Sequence, residues 1–178
     1  MKRCRLHVTG ASGSGTTTLG RVLAAAWDAP HADTDDYFWR PTRPPFTEKR
    51  PETDRVALMH DIFVPRDAWV LSGSMVGWGP GVVERFDAVV FLSLDSDVRM
   101  QRLEQRGLAH RGVGLVDEAA VKAFFEWASK YEDPSFGGRS RVTHETWLST
   151  LSCPVLRLDS SATPEALRDE VVTWEPST

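Results

Sequence analysis

Gly10-Ala11-Ser12-Gly13-Ser14-Gly15-Thr16-Thr17 decides how the rest of the chain is read. A short apolar run, Leu6-His7-Val8, precedes it, and Leu19, Val22, Leu23, Ala26 and Trp27 recur after it at helical spacing. Strand, glycine-rich turn and helix, in that order, are the context in which such a turn cradles phosphate. Gly10, Gly13 and Gly15 let the backbone curl until successive N–H groups point inward, and the helix start adds the positive end of its dipole. Ser12, Ser14, Thr16 and Thr18 accompany those amides, and Thr17 stands where a hydroxyl meets Mg²⁺. The pattern G-x-x-x-x-G-K-[ST] asks for lysine at position 16, and this chain has threonine. The cradle is intact, but the ammonium that would reach the outer phosphates is missing. That charge has to come from elsewhere in the chain.

With 178 residues the chain is read as one domain, 1–178, with room for a sizeable core. A net charge of −4 and a pI near 5.7 argue against nucleic acid as a partner. Cys4 and Cys153 are far apart and match no metal or redox spacing, so they are expected as small core residues in a reducing compartment. No apolar run approaches the roughly 18 residues that a membrane crossing needs, and no membrane partner is expected. A soluble, cytoplasmic protein is the expectation.

Downstream, Asp28-Ala29-Pro30 ends the first helix and His31-Ala32-Asp33 reads as a short strand running into Asp33-Thr34-Asp35-Asp36. A proline-rich loop (41–51) leads to a helix over 51–64 with Val56, Met59, Ile62 and Phe63 inward. Trp69-Val70-Leu71 is a third strand, ending in Ser72-Gly73-Ser74 and a glycine-rich loop at 76–81. Ala88–Leu94 is a buried strand, and Asp95 or Ser96 caps a helix that Gly107 is expected to stop. Residues 108–141 form an insertion with a helix near Asp117–Tyr131 (Val121, Phe124, Phe125 and Ala128 on one side). A helix over 143–151, a strand over 154–158 and a last helix capped by Thr163 follow. Alternating strands and helices make an α/β fold: a doubly wound, five-stranded parallel sheet with a small helical lid.

In such a sheet, ligands lie beyond the carboxyl ends of the strands, which puts Asp33, Asp35 and Asp36 beside the glycine turn. Transfer of phosphate to a hydroxyl needs one carboxylate for the acceptor proton and often another for the metal shell. Asp33 and Asp35 are assigned those two roles, with Asp36 turned to solvent or capping. Guanidinium groups neutralise the spreading charge of the transition state. Arg102 and Arg106, on one helix face with Arg99, and Arg139 and Arg141 beyond the insertion are the candidates. Tyr37, Phe38, Trp39 and Trp78 lie in loops at the same edge, where packing onto the core competes with stacking on a ligand. The five histidines have no metal-ligand spacing.

Together these residues resemble the P-loop small-molecule kinases, the group that holds nucleoside monophosphate kinases and shikimate kinases. The resemblance runs through most of the chain: the loop at 10–17, Asp33-Thr34-Asp35, Ser72-Gly73-Ser74, the Phe91–Leu94 strand leading to Arg99, Arg102 and Arg106, then a lid and a late strand. Asp33-Thr34-Asp35 is similar to the D-x-D of shikimate kinases, which implies Mg²⁺ at the first acid and the acceptor hydroxyl at the second. Ser72-Gly73-Ser74 falls where that family has a glycine-rich acceptor loop. The Gly13-Ser14-Gly15-Thr16-Thr17-Thr18 variant resembles the loop of archaeal-type cytidylate kinases, which also carry threonine for lysine. The resemblance implies ATP and Mg²⁺ as cofactors and an ATP-dependent phosphotransferase acting on a small hydroxyl- or phosphate-bearing acceptor. On this reading Tyr37, Trp39, Ser72, Gly73, Ser74 and Trp78 line the acceptor side. The alternatives are a nucleotide-binding module without transfer activity and an NTPase switch, the latter disfavoured by the absence of an N-K-x-D motif.

Overall fold

The strand before the glycine turn, β1 (Arg5–Gly10), is buried from Leu6 onward and takes the centre of the sheet. The computed structural model describes residues 1–43, 45–111 and 118–176, with 108–111 described as backbone only. β2 (His31–Asp33), β3 (Trp69–Ser72), β4 (Ala88–Ser93) and β5 (Val155–Asp159) complete a sheet of order β2-β3-β1-β4-β5, every pair parallel. The register sets Val8 against Ser72, Asp33 against Ser72, and Gly10 against Leu92. The ends of β1, β2 and β3 therefore share one edge.

Side chains alternate across the sheet, and both faces are apolar, as a parallel sheet with helices on both sides requires. Leu6, Val8, Val70, Ala88, Val90 and Leu92 pack against Leu19 and Leu23 of α1 (Thr16–Trp27) and Leu167 and Val171 of the last helix (Pro164–Thr173). Trp69, Leu71, Val89 and Phe91 face Met59 of α3 (Glu52–Ile62) and Leu148 of α7 (Arg141–Ser149). Each fully buried Leu or Phe contributes about 1.5–3 kcal/mol relative to exposure. The winding read from the sequence is the winding of the molecule.

Several boundaries differ, each for a tertiary reason. Gly107 does not stop α5, which runs Ser96–Arg111; it lies inside the helix, and a Cβ there would make an ordinary 3.5 Å contact with the Phe125 ring of α6 (Glu118–Ser129). Asp117, the expected start of α6, lies outside the described residues. Ile62, expected inward, is half exposed, because the chain leaves the helix at Phe63 and turns Phe63 and Val64 into the core instead. Phe124 and Ala26 are likewise exposed. α7 begins two residues early because the Ser140 hydroxyl accepts from the Thr143 N–H. Two short helices appear where loops were read, α2 (Thr34–Phe38) and α4 (Pro80–Val83). As expected, Asp95 is a cap, its Oδ1 accepting from the N–H groups of Asp97 and Val98.

Two histidines are fully buried on the α3/α7 side. His7 stacks on Phe86 with centroids 4.8 Å apart and donates from Nδ1 to the Leu71 carbonyl at 3.0 Å. Burial pushes both His7 and His144 down to about 3. Each is therefore neutral in the native state, while the unfolded chain takes up protons below the ordinary value near 6.5. Stability is full above that value and is lost as pH falls from about 6.5 toward 3. Unfolding in urea should show about 1.4 kcal/mol less stability at pH 6 than at pH 7 from the two rings together. A flat profile over that interval would mean that the rings are hydrated.

Candidate active site

Local geometry accounts for the shape of the glycine turn. Gly13 and Gly15 have φ of +89° and +91°, a region costly for residues with a Cβ, and Gly15 is the N-cap of α1. At Gly13 a Cβ would also lie 2.7 Å from the Arg99 carbonyl, and at Gly10 2.5 Å from that of Leu92. Above Gly15 the space is open, with Arg102 Nη1 the nearest atom at 3.9 Å from a Cβ position. Ser14 is fully buried and its hydroxyl has no partner among the described residues. The loop is thus packed from below and free above, which fits a phosphate chain lying on its amides.

Thr17 and Asp33 meet directly, the threonine hydroxyl donating to Asp33 Oδ2 at 2.7 Å. The other carboxylate oxygen accepts from the Asp35 N–H at 3.1 Å and so caps α2. A hydroxyl and a carboxylate side by side are the hard oxygen donors that Mg²⁺ takes. Asp35 is exposed on the same turn, and Asp36 is exposed as well. Loss of hydration within the cleft, then the charge of Asp33, pushes the Asp35 carboxyl up; Arg139 and Arg106 pull it down. Asp35 therefore sits within the field of both arginines.

The tip of β3 does a different job at each residue. Ser72 is fully buried, donates to the Thr16 carbonyl at 3.1 Å and lies 2.9 Å from His31 Nε2. It fixes the start of α1 to its neighbouring strand. Gly73, at φ +109°, lies so near Thr34 that a Cβ would be 1.9 Å from Thr34 Oγ1. Ser74 is nearly buried and its hydroxyl lies 3.3 Å from His144 Nε2.

The arginines separate by depth. Arg99 is buried, donating to the Ser12 carbonyl at 3.0 Å and to the Ala128 carbonyl at 3.1 Å, so it straps the glycine turn to α6. Arg102 donates to the Ser160 carbonyl at 3.1 Å, and Arg106 is exposed. Arg139 donates to the Ser12 hydroxyl at 2.7 Å and lies 4.8 Å from the Trp127 ring centroid. Arg141 is committed elsewhere, in a two-pronged pair with Glu132 at 2.6 and 2.8 Å. Arg102 and Arg139 flank the turn, Arg106 acts on Asp35 from α5, and Arg141 does not join them.

Tyr37 and Trp78, expected at the acceptor side, are core side chains. Tyr37 meets Phe63 edge-on, and Trp78 tilts against Phe38 at 6.0 Å, because α2 turns its apolar face onto α3. Trp39 is partly exposed, within 6.1 Å of Phe46. Arg50, in the loop after α2, donates to the carbonyls of Tyr37 and Trp39. Sequence reading missed Arg55, whose guanidinium lies 4.0 Å from the Phe38 centroid and 5.2 Å from that of Trp78. It also missed His31, His144 and Tyr131, whose partners are distant in the chain.

No family model matches the chain. It is 37% identical over 173 residues to the uncharacterized protein YqaC of Bacillus subtilis (strain 168), covering 95% of this chain and 96% of that one. Among solved structures it is similar to shikimate kinase from Acinetobacter baumannii in complex with shikimate, with TM-score 0.55, 17% identity and coverage of 96% and 91%. Shikimate kinase from Aquifex aeolicus gives 0.53 at 16% identity, covering 94% and 93%, and a gluconokinase from Sinorhizobium meliloti gives 0.52 at 18%, covering 94% and 89%. At these identities the likeness is one of fold. The chain belongs to one family with YqaC of B. subtilis, and that family is built on the fold of the P-loop small-molecule kinases.

Proposed function

We propose that the protein is an ATP-dependent phosphotransferase that moves the γ-phosphate to a small hydroxyl- or phosphate-bearing acceptor. The observation that carries this reading is the 2.7 Å contact between Thr17 and Asp33 at the mouth of an open glycine cradle. Mg²⁺ and ATP, when bound, supply the phosphoryl group and a cation that neutralises its charge. The amides of residues 10–18 hold the phosphates, and Thr17 and Asp33 hold the metal shell. Asp35, its carboxyl raised, accepts the proton of the acceptor hydroxyl. Arg102, Arg106 and Arg139 provide the charge that Thr16 does not, and the described part of the insertion, 118–141, closes over the site and excludes water. Among the described residues no helix is long and apolar enough to cross a membrane, and the reading places the protein in the cytoplasm, where ATP is held.

The test is a panel of sugars, sugar acids and nucleoside monophosphates offered to the purified protein with MgATP. Phosphorylation of a panel member that Asp35→Asn abolishes supports transfer. Threonine at position 16 favours the rival, a nucleotide-binding module without transfer: MgATP binding with no product, indifferent to Asp35→Asn, would establish it. Arg106 is exposed, so Arg106→Ala should leave the melting temperature within about 2 °C. Its turnover should fall roughly 10- to 100-fold. An unchanged rate would remove Arg106 from the site.

A further inference from the structure

Three polar side chains form a buried line that the proposed chemistry does not use. The Tyr131 hydroxyl, in the 3-10 turn after α6 (Lys130–Glu132), lies 2.8 Å from His144 Nδ1, and His144 Nε2 lies 3.3 Å from the Ser74 hydroxyl. His144 is fully buried on α7, Tyr131 is nearly so, and Ser74 is the least buried of the three. The line joins the segment read as a lid to the tip of β3, where the acceptor is expected.

Its polarity follows from counting protons. The imidazole is neutral, so one ring nitrogen carries hydrogen and the other accepts. If Nδ1 carried it, the Tyr131 O–H would need another acceptor, and among the described residues the phenol has no second hydrogen-bond partner. A donor unsatisfied at that depth is costly. If Tyr131 donates to Nδ1 instead, Nε2–H donates to Ser74 Oγ, and the unmet donor is the proton of the serine, the least buried of the three. The phenol, held up at about 12 by burial, keeps its proton throughout. Arg139 acts on both His144 and Asp35, so the middle of the line and the cleft acid share the field of one guanidinium, and Ser74 follows Gly73, which packs against Thr34 beside that acid.

We propose that His144 is a positioning residue: the Tyr131–His144–Ser74 line presents the Ser74 hydroxyl to the cleft as a hydrogen-bond donor. The acceptor subsite there suits an oxygen without a proton to give, such as a carbonyl, carboxylate, ether or phosphate oxygen. Only this last step rests on the phosphotransferase reading; the polarity of the line is a property of the free protein.

The experiment is ¹⁵N spectroscopy of the histidine rings in the full chain, with His144 assigned by loss of its signals in His144→Gln. The wild type should show His144 with hydrogen on Nε2 at pH 7, and Tyr131→Phe should shift the ring toward the other tautomer. Hydrogen on Nδ1, or a tautomer indifferent to Tyr131→Phe, would overturn the proposal. Kinetics then test the consequence with whichever panel member the wild type phosphorylates. Tyr131→Phe and Ser74→Ala should each raise the KM for that compound about tenfold, well beyond any change in the KM for MgATP. Equal shifts in both constants would sink the positioning role. If the wild type phosphorylates nothing, the phosphotransferase reading fails by itself, and the tautomer measurement still decides the line.

Discussion

Asp33→Asn should lower magnesium-dependent phosphoryl transfer by about a thousandfold or more, equivalent to roughly 4 kcal/mol of barrier, with folding retained. Asparagine is an N-cap as good as aspartate, so its carbonyl can still accept from the Asp35 N–H and hold α2. The amide that replaces Oδ2 faces the Thr17 hydroxyl as a donor and carries no charge for a cation. The observed job of this carboxylate, holding a helix, and the proposed one, holding a metal, are thereby separated by one atom. Titration calorimetry of ATP with and without Mg²⁺, beside a melting curve, reads both. Turnover within tenfold of wild type would take Asp33 out of the metal shell.

Gly73→Ala should destabilise the protein by about 3–5 kcal/mol, read as a lowered urea midpoint at unchanged slope. Two penalties add at this position. The backbone sits at φ +109°, and the new methyl would fall 1.9 Å from Thr34 Oγ1 and 3.0 Å from Thr34 Cβ. Thr34 is buried between Asp33 and Asp35, so relief of the clash moves both acids. Two other glycines make the comparison clean. Gly77, at φ +79° with open space around it, should cost about 1 kcal/mol for the backbone alone, and Gly137, in open space without positive φ, close to nothing. Equal losses at Gly73 and Gly77 would show that Thr34 yields easily.

Much of this arrangement can be read along the chain, and the parts that cannot share a cause. The glycine turn, the order of strands and the placement of Asp33 at a strand end follow from local pattern and the rules of parallel sheets. The single turn of α2 is invisible because its cap is the same aspartate that reads as a ligand. Tyr37 and Trp78 stand in polar, glycine-rich surroundings, and only the approach of α3 and α4 buries them. Gly107 has the sequence of a stop but lies within α5, beside the Phe125 ring of α6, a neighbour that local sequence does not announce. Arg99, His144 and Ser74 find partners dozens of residues away, and no periodicity announces such pairs.

Threonine at position 16 has an energetic corollary. An ordinary loop lysine travels with the amides it serves, so charge and cradle arrive together. Here the guanidinium groups of Arg102, Arg106 and Arg139 are borne by α5 and by the turn before α7. Under the proposed activity, apparent nucleotide affinity then scales with the fraction of molecules in which those segments are seated. Each tenfold gain in that fraction strengthens binding by about 1.4 kcal/mol without a new contact. A ligand that tightens the second segment would raise the grip on the triphosphate, and the two substrates would bind with positive cooperativity.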